Sequence, residues 1–169
     1  MRECRETDRP AVLDVVRAAF TGPEQDGTYE VDVVAQTWGR HAGIDGLDLV
    51  ALADGAVVGH VLGARGDLAG EPAVGIAPLS VRPAWQRRGV GTALMRTLLE
   101  RAGKQRWPFV LLLGSPDYYR RFGFEPAVTY GISYPPAGPD NPAFQVRRLG
   151  VDRPPGGEFR YCWELAERA

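Results

Sequence analysis

Cysteine and lysine are both scarce in this chain of 169 residues: it has two cysteines and a single lysine, Lys104. Cys4 and Cys162 lie near opposite ends with no metal-ligand spacing, so reduced thiols are expected rather than a disulfide framework, and no metal is expected. The P-loop pattern GxxxxGK[ST] is missing, and Lys104 lies at the far end of the helix that follows the glycines of residues 89–91, which removes a nucleoside-triphosphatase. No apolar run approaches the ~20 residues that cross a bilayer. The opening residues, MRECRETDRP, are charged where a secretory leader turns apolar, so a cytoplasmic location is expected. An excess of one charge is lacking too. Lys+Arg number 20 and Asp+Glu 21, which excludes a general attraction to nucleic acid or to a membrane surface.

What is present suits one globule. With 44% hydrophobic residues the chain can bury a sizeable core, and residues 1–169 read as a single domain without repeat, linker or boundary. Val12, Val15, Val16, Ala19 and Phe20 recur at helical spacing after Thr7-Asp8-Arg9-Pro10, and a weaker helical pattern covers 28–38. Residues 39–46 read as a loop. LDLVALA (47–53) and AVVGHVLGA (56–64) flank Asp54-Gly55, a hairpin signal. RGDLAGEP (65–72) reads as a loop before a strand at 73–81, where Pro78 predicts a bulge or an opened pairing. Leu94, Met95, Leu98, Leu99 and Ala102 make a helical stripe with Gly103 as its cap, and PFVLLLG (108–114) reads as a strand covered on both faces. DYYRRFGF is a short helix. AVTYGISY, FQVRRL and EFRYCWEL complete a mixed, mainly antiparallel α/β pattern with strands.

The segment VRPAWQRRGVGTAL (81–94) concentrates positive charge and glycine just before a helix. Gly89 and Gly91 let a ligand approach the amides of residues 87–92, which are orphan donors at a helix N-terminus. Arg87 and Arg88 add charge, and Thr92 a hydroxyl. The combination fits a phosphate or pyrophosphate. It is not the dinucleotide fingerprint GxGxxG, because Leu94 stands at the third small position.

Val81, Pro83, Gln86, Gly89, Gly91 and Leu94 spell V-x-P-x-x-Q-x-x-G-x-G-x-x-L, which closely resembles the acetyl-CoA-binding motif of the GNAT (Gcn5-related N-acetyltransferase) superfamily. Downstream, Tyr119, Gly123 and Phe124 resemble that superfamily's second signature, and LGSPDYYRRFGFEPA resembles a bacterial subgroup of predicted acetyltransferases. The resemblance implies a single-domain acyl-CoA N-acyltransferase fold, with a mainly antiparallel central sheet, flanking helices and splayed strands at the cofactor. It implies that pantetheine lies between the strand ending at Val81 and FVLLL, bonded to the backbone at Leu79 and Val81. The pyrophosphate would rest on Gln86, Arg87, Arg88, Gly89, Val90, Gly91 and Thr92. Many members carry asparagine where this chain has Leu112, which leaves Ser115 as a substitute for cofactor-tail contacts.

The implied activity is transfer of an acetyl group from acetyl-CoA to a primary amine by direct attack. Tyr119 matches the position of the general acid, and a backbone N–H near Leu79 or Ser80 would stabilise the oxyanion. His60 is a base by chemistry and a satisfied core residue by its apolar surroundings. Glu30, Asp32 and Glu71 read as solvated carboxylates. The acceptor would be a small-molecule or protein amine; a homodimer is left open. Two alternatives stand beside this reading: a non-catalytic acyl-CoA-binding sensor module, and an acyltransferase using another acyl chain or a hydroxyl acceptor.

Overall fold

The computed structural model describes residues 1–150 and 152–166. In chain order its elements are β1 (Arg2–Glu3), α1 (Arg9–Phe20), β2 (Thr21–Gly22), β3 (Gln25–Asp26), α2 (Thr28–Gly39), β4 (Gly43–Ala53), β5 (Ala56–Leu68), β6 (Glu71–Val81), α3 (Val90–Lys104), β7 (Phe109–Leu113), α4 (Pro116–Tyr119), β8 (Glu125–Pro126), β9 (Ile132–Ser133), β10 (Phe144–Arg148), β11 (Gly157–Tyr161) and α5 (Cys162–Ala166). This is a mixed α/β fold whose central sheet is mainly antiparallel and flanked by helices. The chain divides into two compact units, Met1–Gly63 with Ala77–Arg101, and Ala64–Ile76 with Ala102–Ala169.

In the first unit β1, β4, β5 and β6 are successive neighbours. β1 runs antiparallel to β4, with Arg2 opposite Val50 and Glu3 opposite Leu49. Asp54 and Gly55 both take left-handed conformations, φ 49° and 80°, as a two-residue turn between right-twisted strands requires. The periodic valines of α1, Val12, Val15 and Val16, are fully buried with Val34 of α2 and Val50 and Leu62 of the sheet. Burial of each such side chain contributes about 2 kcal/mol, so α1 and α2 are held mainly by this apolar face. On α3, Leu94, Met95 and Leu98 are likewise fully buried. That helix sits close to β5 because position 59 is glycine: a Cβ there would come 2.8 Å from Val90 Cγ1 and 3.0 Å from Leu94 Cδ1.

In the second unit β6 and β7 are parallel, with Val74 opposite Val110 and Gly75 opposite Leu111. β10 pairs antiparallel with β7 from Phe144–Leu113 to Arg148–Phe109, and β8 follows on its other side. β11 pairs with the end of β5 and, in parallel, with β9. The Tyr161 ring lies over β6, where a Cβ on Gly75 would be 2.1 Å from Tyr161 Cε1. Its hydroxyl donates to the Ile76 carbonyl at 2.8 Å, and Trp163 stacks on its other side at 4.3 Å between centroids.

Several boundaries differ from the sequence reading. Residues 39–46 are not all loop, since β4 begins at Gly43. The stretch 65–72 is mostly strand: β5 and β6 meet at a turn through Ala69 and Gly70, both left-handed. Arg65 and Asp67 looked loop-like but alternate with buried Gly66 and Leu68, so their charges lie on the solvated side of a strand. Gly103 does not cap α3. The helix reaches Lys104, and Arg106 takes the left-handed position, with Trp107 N bonded to Ala102 O at 3.0 Å, a Schellman arrangement. AVTYGISY is a 3-10 turn at Ala127–Tyr130 followed only by the short β9. EFRYCWEL is strand only to Tyr161; its Glu164 carboxylate accepts the Tyr161 N–H at 2.8 Å, which starts α5 by capping a free donor.

Candidate functional site

β6 delivers the chain into the glycine segment through Arg82, which holds the strand exit to β5. The Arg82 N–H donates to Val58 O at 2.9 Å and its Nε to Val57 O at 3.1 Å, fastening the segment to β5. After a 3-10 turn at Pro83–Trp85, residues Gln86, Arg87, Arg88 and Gly89 are exposed. Gln86 Nε2 reaches back to Val81 O at 3.1 Å, so the segment closes on the end of its own strand. Arg87 and Gly89 are left-handed, φ 59° and 82°. For arginine that conformation costs about 1–2 kcal/mol; for Gly89 it costs nothing, which is why a glycine stands there.

The first helical bond of α3 runs from Ala93 N to Gly89 O at 2.9 Å. The amides of Val90, Gly91 and Thr92 therefore precede it, at the positive end of a 15-residue helix, where an anion is favoured. The Arg88 guanidinium lies over the Trp85 ring at 5.3 Å, so the ring face helps to hold that charge at the turn. Leu79 and Val81 are half-buried on β6, whereas Ser80 is 1% exposed and its Oγ has no hydrogen-bond partner. Gln86 through Thr92 are thus gathered into one short, cationic, amide-rich turn.

Within the second unit, Tyr119 ends α4, directly after β7. Its ring lies against the main chain at Gly114, where a Cβ would be 2.4 Å from Tyr119 Cε2. Tyr118 and Phe124 meet the same ring at centroid distances of 4.9 and 5.8 Å. Burial, followed by the neighbouring Tyr118, raises the Tyr119 pKa above its ordinary value, so the phenol stays protonated. Ser115 is exposed, makes no side-chain cap bond, and accepts the Tyr119 N–H on its carbonyl at 3.1 Å. Leu112 is 1% exposed and belongs to the core of its strand.

His60 is a core residue. Fully buried, it places Nε2 2.8 Å from Asp48 Oδ1, while Trp38 Nε1 donates to Asp48 Oδ2 at 2.8 Å. Asp32 and Glu71 are exposed and Glu30 is half-buried.

The family model for the acetyltransferase (GNAT) family matches residues 9–124, a span that contains both the glycine turn and Tyr119. The chain belongs to that family. It is 36% identical over 148 residues to the uncharacterized N-acetyltransferase YhbS of Escherichia coli (strain K12), covering 86% of this chain and 84% of the relative. With the uncharacterized N-acetyltransferase YjhQ of the same organism it shares 38% identity over 113 residues, and that match spans only 62% of YjhQ. Among solved structures, the E. coli GNAT family N-acetyltransferase YhbS in complex with CoA superposes with a TM-score of 0.82 at 30% identity, covering 98% of this chain and 90% of that one. A GNAT family acetyltransferase from Brucella melitensis in complex with acetyl-CoA gives 0.74 at 30% identity, with coverage of 92% and 91%.

Three further residues support this geometry. Gly59 lets α3 approach β5, and a glycine inside an apolar strand is itself a signal of close approach. Arg82 anchors the strand exit. Gln145, 1% exposed on β10, donates from Nε2 to Gly114 O at 2.9 Å; a lone amide inside an apolar strand marks such a fixed partner.

Proposed function

We propose that this chain is an acetyl-CoA-dependent N-acetyltransferase that moves an acetyl group to a primary amine without a covalent enzyme intermediate. The observation that carries the proposal is the glycine turn: exposed arginines, left-handed Arg87 and Gly89, and free amides at the start of α3. CoA and acetyl-CoA in the two solved relatives support a CoA pyrophosphate as its anion. The amides of residues 87–92 bind the pyrophosphate, Arg87 and Arg88 neutralise it, Thr92 adds a hydroxyl bond, and the main chain of Leu79 and Val81 holds pantetheine. Ser115 serves the cofactor tail.

In the reaction the amine nitrogen attacks the thioester carbon, and the oxyanion is stabilised by an amide near Leu79 or Ser80. As the carbon–sulfur bond breaks, Tyr119 gives its proton to the CoA sulfur. The proton shed by the attacking nitrogen returns the tyrosinate to phenol, so the enzyme ends unchanged. Burial keeps Tyr119 protonated before the step; it also makes the phenol a weaker acid, so its hydrogen bond to the departing sulfur is the early part of its contribution. His60, enclosed by Trp38 and Asp48, has no part in this scheme.

The test is an assay of free CoA thiol with acetyl-CoA and a panel of mono-, di- and polyamines, amino acids and peptides. Release with one acceptor class, and product heavier by one acetyl group, is the expected result. Tight acetyl-CoA binding with no turnover across the panel would instead make the chain a binding module. Propionyl-CoA and hydroxyl acceptors in the same assay separate the remaining alternatives.

A further inference from the structure

Cys4, Asp48 and His60 are far apart in sequence, yet one ligand atom from each comes within 4.8 Å of the others. The fold brings them together: Cys4 follows β1 and donates its N–H to Asp48 O on β4 at 2.8 Å, and His60 lies on the adjacent β5. His60 Nε2 faces Asp48 Oδ1 at 2.8 Å and Asp48 Oδ2 accepts from Trp38 Nε1 at 2.8 Å, so an ion entering here replaces the His60–Asp48 bond. His60 is fully buried, and its Nδ1 has no partner. Cys4 is half-buried and the Asp48 side chain is 24% exposed, so solvent reaches the group from the side of these two.

We propose that Cys4, Asp48 and His60 form a binding site for a single zinc-class divalent cation, with water completing its coordination. Thiolate, imidazole and carboxylate together are a borderline-soft donor set that suits zinc and disfavours magnesium or calcium. As thiolate, carboxylate and neutral imidazole the group carries two negative charges, which a divalent ion balances. Without an ion a cysteine sulfur keeps its proton at neutral pH, since an ordinary thiol has a pKa of about 8.5. Binding breaks that S–H bond, forms a sulfur–metal bond and releases one proton to the buffer. The site joins the strand ending at Glu3 to its neighbours β4 and β5, a clip on the amino-terminal strand. None of its ligands belongs to the glycine turn or to the Tyr119 segment, so its failure would leave the acetyltransferase proposal untouched.

The test uses the full chain, stripped with chelator and titrated with zinc and with cobalt. One cobalt per chain, with a thiolate-to-cobalt charge-transfer band, is expected in the wild type and in Cys162→Ser. Cys4→Ser, which keeps the main-chain bond to Asp48, should lose the band and bind zinc at least about 100-fold more weakly. Zinc should also protect Cys4, and not Cys162, from iodoacetamide in the wild type, a readout independent of how the variant folds. Absence of a thiolate band in the wild type, equal zinc affinity in Cys4→Ser, or protection of Cys162 alone would overturn the proposal.

Discussion

Residues 86–89 are exposed and shaped by main-chain dihedrals, with Gln86 fastened to Val81 O at 3.1 Å; Tyr119, in the other unit, is held by rings and by the bare backbone of Gly114. The first arrangement offers amides and charge, and most of its side chains are dispensable to its shape. The second depends on one side chain kept in one place. On the proposed roles, recognition of an anion would tolerate gradual change, whereas a proton donor would fail abruptly.

The largest expected effect lies on the ring side. Tyr119→Phe should lower kcat by about 100- to 10,000-fold while the acetyl-CoA Kd, measured by calorimetry, changes little; equal losses in both would put Tyr119 in binding rather than chemistry. Gly114→Ala comes next, because its Cβ falls 2.4 Å from the Tyr119 ring. Displacing the ring should cost up to about 100-fold in turnover, with a stability loss of about 1–3 kcal/mol by chemical denaturation. On the cationic side, Arg87→Glu with Arg88→Glu should weaken acetyl-CoA binding about 10- to 100-fold and flatten its salt dependence, with kcat at saturation nearly unchanged.

The smallest effect is on alkaline stability. Tyr119 has a folded pKa raised above its unfolded value near 10. The stability this contributes is fully present below about pH 10 and is lost as the pH rises past that value toward the folded pKa. Denaturation midpoints followed from pH 8 to 11 should therefore fall more steeply for the wild type than for Tyr119→Phe.

Local features were legible from sequence. The glycine turn, the Asp54-Gly55 hairpin and the valine stripe of α1 each announce themselves within a few residues, because the physics is short-range. The strand residues Arg65 and Asp67 misled, since charge on the outer face of a strand looks like a loop until its partner strand is known. Glu164 misled in the same way: its capping of Tyr161 N converts an apparent strand into a helix start. Gly59 and Gln145 act on residues more than 30 positions away, at Val90 and Gly114, and the cluster at Cys4, Asp48 and His60 exists only once three strands are adjacent. No spacing rule anticipates such contacts.

Tyr161 has a consequence in time as well as in space. Its ring lies between the β6 main chain at Gly75 and the stacked Trp163, with its hydroxyl on Ile76 O. A half-turn of that ring sweeps a volume that close-packed neighbours do not vacate at rest, so each flip waits for β6 and the start of α5 to part. The two edges of Tyr161 then exchange no faster than this part of the molecule breathes, and the ring records, flip by flip, how often the second unit opens.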